Sequence, residues 1–305
     1  MRPEQAARIR EAGPGLDPDT IQAMFGLFAA AHEEMHHHAP AIERDLAYGP
    51  DPRHRLDVHS AAPAGADPAP VLLFVHGGGF VGGDKHTPGT PYYDHIGAWA
   101  VGHGMVGVTM TYRLAPQHQW PSGAEDVGRA VAWVTAHIGE YGGDPARIVL
   151  AGHSAGATHV ATYLAGHAGP PAGVAAAALL SGIYDLPTAE RNEMQAAYFG
   201  ADSGAYSARS PLPGLVASGF PALFSVAEFD PPGFHRQAVA ALDAYVRRDG
   251  AVPPFAWVRG HHHISEIAAL GVDDEPLGVP LLRFVESVTG AGLPRPERPE
   301  PAPAG

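Results

Sequence analysis

Arg147-Ile148-Val149-Leu150-Ala151-Gly152-His153-Ser154-Ala155-Gly156 decides how this chain is read. An apolar run of strand length ends in Gly-x-Ser-x-Gly, and a small-residue helix is expected from Ala155 to Ala165. A buried strand turning sharply into a helix at a serine is a nucleophile elbow. The turn projects the hydroxyl from the sheet, and flanking glycines leave room for crowded backbone. With 38 glycines in 305 residues, chance supplies such a pentapeptide in roughly one chain in six. Its meaning therefore rests on its surroundings.

Other apolar runs flank it: Val71–Val75, Val106–Met110, Ala175–Leu180, Ala222–Val226 and Phe255–Val258. Continuous apolarity over so few residues predicts strands covered on both faces. Helical patterns at Tyr92–Val101, Gly123–Ile138, Ser154–Ala165 and His235–Arg248 separate them. Alternation of this kind predicts an α/β fold with a mostly parallel sheet and helices on both faces.

Upstream, Pro18 beside Asp17 and Asp19 opens a helix running to about His37, before Pro40. Leu46–Tyr48 and Leu56–His59 read as two short strands joined by Gly49-Pro50-Asp51-Pro52. Residues 1–45 are expected to form an N-terminal helical cap, 46–290 one catalytic domain, and 186–215 a lid or cap insert within it. The last is too long for a simple connection and carries Tyr198, Phe199 and Tyr206. Residues 291–305, rich in Pro, Glu and Ala, are expected to be disordered.

Composition narrows the function classes. The formal net charge is −13 and Lys85 is the only lysine, so no basic block exists to displace counterions from nucleic acid or anionic membrane. The absence of cysteine excludes disulfides, thiolate catalysis and cysteine zinc sites. No apolar run approaches a transmembrane length. Ile21–Ala31 is the one candidate for a signal core, but it follows two aspartates, and Phe25–Met35 reads better as an amphipathic helix. The expected location is the cytoplasm.

Serine hydrolysis needs a nucleophile, a base, a group orienting the base and donors for the oxyanion. Ser154 is the candidate nucleophile. His76-Gly77-Gly78-Gly79-Phe80 follows the strand Val71–Val75, where glycines let main-chain N–H groups turn toward a carbonyl oxygen. A second donor is the N–H of Ala155. A phosphate loop is the rival reading, but neither Gly-Lys-Ser/Thr nor Gly-x-Gly-x-x-Gly follows.

After Ala222–Val226 comes Ala227-Glu228-Phe229-Asp230-Pro231-Pro232, with Asp230 the favoured acid and Glu228 the reserve. After Phe255–Val258 come His261, His262 and His263, any of which can supply the base. The order Ser, Asp, His suits this architecture. Alternation along an extended segment would let His261 and His263 chelate a metal, but no acidic ligand spacing accompanies them. His36-His37-His38 reads as a solvated helix end. No metal and no cofactor are expected.

Val75-His76-Gly77-Gly78-Gly79-Phe80, Tyr112-Arg113-Leu114-Ala115-Pro116, Pro121 with Glu125-Asp126, and Gly152-x-Ser154-Ala155-Gly156 together resemble the hormone-sensitive-lipase-like esterases. The resemblance covers roughly residues 45–285. It implies an α/β-hydrolase fold with a small helical cap, Ser154, Asp230 and a histidine near 263 as the triad, and Gly77, Gly78 and Ala155 as the oxyanion hole. It also implies a structural role for Tyr112–Asp126, tying a loop beneath the site.

Several positions depart from that pattern. His153 and Ala157 stand where aspartate and glycine are usual, Gln117 stands for glutamate, and Ile264-Ser265 follows His263 instead of Gly-Phe. The His-x-Ser ending, Tyr198-Phe199-Gly200-Ala201-Asp202 and Ser210-Pro211-Leu212 resemble the smaller esterases related to feruloyl esterases and kynurenine formamidases. His263 is chosen as base because it fits their histidine–apolar–serine pattern. Gly79-Phe80, in place of an aromatic pair, tilts the reading to esters.

The expected activity is hydrolysis of small to medium acyl or aryl esters through an acyl-enzyme. An arylformamidase or amidase with the same triad is the alternative, and a non-catalytic binding protein a further one. Phe28, Phe80, Tyr198 and Phe199 are the expected substrate contacts, with Met24 and Phe25 beside them, although cap core explains several equally well. The expected partner is a small-molecule ester, and the oligomeric state, including a homodimer, stays open.

Overall fold

In the computed structural model, which describes residues 1–35, 39–61, 67–273 and 276–294, the apolar runs lie in one sheet. Its strands are β1 (Ala41–Ala47), β2 (Arg55–Ser60), β3 (Ala69–Val75), β4 (Val106–Met110), β5 (Gly143–His153), β6 (Ala176–Leu180), β7 (Ala222–Phe229) and β8 (Phe255–His262). They are ordered β1-β2-β4-β3-β5-β6-β7-β8. Pairing is antiparallel for β1/β2 and β2/β4 and parallel for the rest. The helices are α1 (Pro3–Ala12), α2 (Pro18–Met35), α3 (Asp94–Gly102), α4 (Ser122–His137), α5 (Ala155–Leu164), α6 (Glu193–Phe199), α7 (Tyr206–Arg209), α8 (Leu212–Ser218), α9 (Pro232–Asp249), α10 (Ser265–Ala268) and α11 (Gly278–Thr289).

Side chains alternate across the pleat, so each central strand feeds two apolar layers. Val71, Leu73, Val75, Ile148 and Leu150 join one layer, which packs on α4, α5 and α9. Leu72, Phe74, Val149 and Ala151 join the other, which packs on α2, α3 and α11. Both faces are covered, which is why these strands read as unbroken apolar runs.

Register positions the site. Val75 pairs with Gly152, His153 with Leu180, Leu180 with Ser225, and Phe229 with His262. The carboxyl ends of β3, β5, β6, β7 and β8 therefore line up along one edge. In such sheets ligands bind at that edge.

Three features differ from the sequence reading. The sheet begins at Ala41, inside the segment expected to be cap and before the strand expected from Leu46, because β1 is a mostly exposed edge strand interrupted by Glu43-Arg44-Asp45. Helix α1 escapes notice because only Ile9 of its ten residues is buried. Helix α11 was likewise unforeseen. The histidine run at 36–38 and the tail from 295 to 305 lie outside the described residues. Among the described residues no helix is long and apolar enough to cross a membrane.

Candidate active site

Ser154 is the first residue past β5 and takes φ 55°, ψ −119°. A non-glycine residue at positive φ costs about 1–3 kcal/mol and persists only where the surroundings over-determine it. Here the determinant is close packing at the turn. A Cβ on Gly152 would press on the Gly156 carbonyl, and one on Gly156 would collide with the Val75 carbonyl of β3. Both glycines are thus required for β5, α5 and β3 to meet, and Ser154 is left facing a cavity.

His263 is the first residue past β8, and Asp230 the first past β7. Nδ1–H of His263 donates to Oδ1 of Asp230 at 2.5 Å. The other carboxylate oxygen accepts from the Ser181 hydroxyl (2.7 Å) and the Ala227 N–H (2.7 Å). Burial pushes the Asp230 carboxyl upward, but the His263 charge and these hydrogen bonds outweigh it and hold the group below its ordinary value. Burial likewise opposes charging of His263. The attraction and hydrogen bond of Asp230 exceed that penalty, so its pKa lies above the ordinary histidine value.

The neighbouring histidines have other tasks. His261 lies under the ring of Phe28 (6.0 Å between centroids), with Nδ1 at 3.1 Å from Ser265 Oγ and Nε2 at 3.3 Å from Asp273 Oδ2. His262 donates from Nε2 to the Gly15 carbonyl at 2.7 Å. Glu228 is exposed and accepts from the Gly260 N–H at 2.7 Å, away from His263. Of the candidate bases and acids, only His263 and Asp230 meet.

The glycine loop is held from behind. The Tyr112 hydroxyl lies 3.0 Å from the His76 carbonyl and 3.4 Å from that of Gly77, and His76 Nδ1–H donates to the Gly77 carbonyl at 2.6 Å. In a trans peptide the C=O and the following N–H point oppositely. Holding these two carbonyls inward aims the N–H groups of Gly77 and Gly78 outward. Along with the N–H of Ala155, they donate to no acceptor among the described residues. Beneath, Asp126 accepts from the Arg113 N–H (2.8 Å), the Arg113 guanidinium (2.7 Å) and His54 Nε2 (2.9 Å), fastening the stretch that carries Tyr112.

The cavity has a volume of about 900 Å³ and is lined by Ser154, His263, Gly77, Gly78 and Ala155 together. Its walls include Ile21, Phe25, Phe80, Tyr92, Tyr93, Ile183, Met194 and Phe234, with Asp84 and Glu190 as acids and no Lys or Arg among the described lining. Three expected substrate contacts are not there. Phe28 is buried against His261; Tyr198 and Phe199 are buried in a small core around Phe80, the Tyr198 ring stacking on it at 4.8 Å. Of the two residues expected beside them, Met24 is buried in the core with Phe28, whereas Phe25 lines the wall together with Ile21, on the adjacent stripe of α2. On α6, Met194 and Gln195 do the same one turn before Tyr198 and Phe199. Sequence spacing shows two apolar stripes on α2 but not which one meets a cavity.

Sequence reasoning also missed Ser181, His153 and Glu266. Ser181 follows β6 as Ser154, Asp230 and His263 follow their strands, a shared position visible only once strand ends are known. Donor atoms of His153, His263 and Glu266 lie within 4.8 Å of one another, the one such group among the described residues near enough to hold a metal ion. His263 Nδ1 is already committed to Asp230, and His153 Nε2 to the His263 carbonyl at 2.9 Å.

A strained serine after a parallel strand, facing a histidine–aspartate pair along the sheet edge, defines the class, and sequence comparison agrees. Residues 72–241 match the α/β-hydrolase-fold family, and the chain belongs to it. Among curated relatives it is similar to esterase LipQ of Mycobacterium tuberculosis, 31% identical over 256 residues, or 77% of this chain and 60% of LipQ. It also resembles esterase LipC of the same organism, 38% identical over 122 residues, or 40% of this chain and 29% of LipC. The chain therefore matches less than two thirds of either relative's length. Among solved structures, an esterase from Pyrobaculum calidifontis superposes with a TM-score of 0.65 at 21% identity, over 95% of this chain and 98% of that one, a likeness of fold.

Proposed function

We propose that the protein is a serine carboxylic ester hydrolase, with Ser154 as nucleophile, His263 as base and Asp230 as its orienting acid. The observation that carries this reading is the Asp230–His263 hydrogen bond beside a strained Ser154, with Ser154 and His263 opening on one cavity. The esterase names of the relatives agree with it.

In acylation Ser154 Oγ bonds to the ester carbonyl carbon while its proton passes to His263 Nε2. Asp230 holds Nδ1–H, so Nε2 keeps the lone pair that takes that proton. Charge then builds on the carbonyl oxygen, and the N–H groups of Gly77, Gly78 and Ala155 receive it, each worth about 3 kcal/mol. Collapse expels the alcohol, which takes the proton from His263. Water repeats the sequence to release the acid and restore Ser154. The apolar walls and the absence of cationic lining favour uncharged esters of small to medium size.

A fluorophosphonate probe tests the reading, with p-nitrophenyl esters of graded acyl length as substrates. The probe is expected to label Ser154, and Ser154→Ala to abolish turnover. An unlabelled Ser154, or full activity in Ser154→Ala, would overturn it.

A further inference from the structure

The base is tied to the nucleophile turn by a side chain that the triad does not use. Ser154 and His263 follow β5 and β8, which are separated by β6 and β7. Through the sheet alone that is three strand spacings, roughly 14 Å. His153, the residue beside the nucleophile, shortens the path. Its Nε2 lies 2.9 Å from the His263 carbonyl, and since a carbonyl only accepts, Nε2 carries the proton. The two rings lie 4.7 Å apart between centroids. On its other side, Nδ1 of His153 would be 3.1 Å from a Cβ on Gly77, so the ring also packs against the glycine loop.

Behind it stands Glu266, 1% exposed, in the first turn of α10. Its Oε1 is 3.4 Å from His153 Nε2 and has no hydrogen bond among the described residues, while Oε2 accepts from Ser225 Oγ at 3.3 Å. A buried carboxylate with one long hydrogen bond is costly, and an apolar residue would pack there at less expense. What it contributes is felt at His263, where it acts with Asp230 to favour the charged imidazole.

We propose that His153 and Glu266 form a second histidine–carboxylate pair that positions His263. His153 holds its main chain against the nucleophile turn, and Glu266 favours its protonated form in the transition state. The proposal rests on the Ser154–His263–Asp230 reading. The groups facing His263 are Asp230, Glu266, His153, His262 and the Phe234 ring, and of these the carboxylates alone favour its charged form. Glu266 in turn faces His153, Ser225 and the Tyr184 hydroxyl.

Three variants test it, each with a thermal melt and a full pH profile of kcat/KM. His153→Leu is expected to lower kcat roughly 10–100-fold with KM little changed. His153→Gln, whose amide N–H can reach where Nε2 does, is expected to recover most of that. Glu266→Gln is expected to move the acid limb of the profile to lower pH, a change that mere loss of packing would not cause. If His153→Leu does not fold, His153→Asn, too short to reach the His263 carbonyl, replaces it with the same expectation. Equal losses in the Leu (or Asn) and Gln variants, or an unmoved limb in Glu266→Gln, would overturn the proposal. Probe labelling of wild-type Ser154 alongside either result condemns this inference alone; an unlabelled wild type condemns the triad reading and this inference with it.

Discussion

Two buried histidine–carboxylate pairs stand side by side at the carboxyl edge of the sheet, Asp230 with His263 and Glu266 with His153. Each carboxylate also meets a serine hydroxyl, Ser181 for Asp230 and Ser225 for Glu266. They differ in how completely they are satisfied. Asp230 accepts three hydrogen bonds of 2.5–2.7 Å. Glu266 accepts one of 3.3 Å and faces a histidine at 3.4 Å whose proton is given to a carbonyl. A short, fully used carboxylate can fix an imidazole in one tautomer, which a base requires. A loosely held one acts mainly through its charge. Burial alone does not separate the two roles, since both residues are at most 3% exposed.

Asp230→Asn should separate the two pairs most strongly. It should lower kcat by about 10⁴-fold, since the amide no longer enforces the tautomer. The same variant sharpens the electrostatic side. If His263 is the base, only its neutral form accepts a proton, so wild-type activity should fall as pH drops through a pKa held above the ordinary histidine value by Asp230. With that charge gone and burial remaining, the acid limb in Asp230→Asn should move to lower pH. A limb unmoved or shifted upward would break the assignment.

Removing the two serines probes the carboxylates directly. Ser181→Ala takes a 2.7 Å hydrogen bond from a buried charge, a loss of about 1.5–3 kcal/mol, and should reduce kcat roughly 10–100-fold. Ser225→Ala removes a 3.3 Å contact and should cost less than about fivefold. Equal effects in parallel steady-state assays would show that the two pairs are not distinguished by their hydrogen bonding. Smallest of all, Glu228→Gln should leave kcat/KM within about twofold, because among the described residues the exposed carboxylate accepts only from Gly260. A large loss there would return Glu228 to consideration as the orienting acid.

Much of the site was legible beforehand because its parts sit at strand ends. Gly152–Gly156 and His76–Phe80 each follow an apolar run, and the residue types at those ends restrict the chemistry to very little else. Asp230 stood out from Glu228 by the two prolines after it, whose turn brings the side chain inward. The substrate wall was less legible. Phe28 and Phe25 are equally apolar neighbours on one helix, and only the rotation of α2 against the sheet sends one to His261 and the other to the cavity. Tyr198 and Phe199 are aromatic in a lid-like insert, yet they serve to hold Phe80 in place.

The alternation of strands and helices, the mostly parallel sheet, the elbow and the order of the candidate triad are all written in the chain. These depend on local patterns: apolar runs, glycines where backbone crowds, and polar residues where a strand stops. Only the tertiary fold settles which of three adjacent histidines reaches Asp230, that Ser181 supports it, and that His153 and Glu266 lie behind His263. Those relations join residues up to 113 positions apart in the chain. They depend on strand register and on the packing of α2 and α10, which no local spacing encodes.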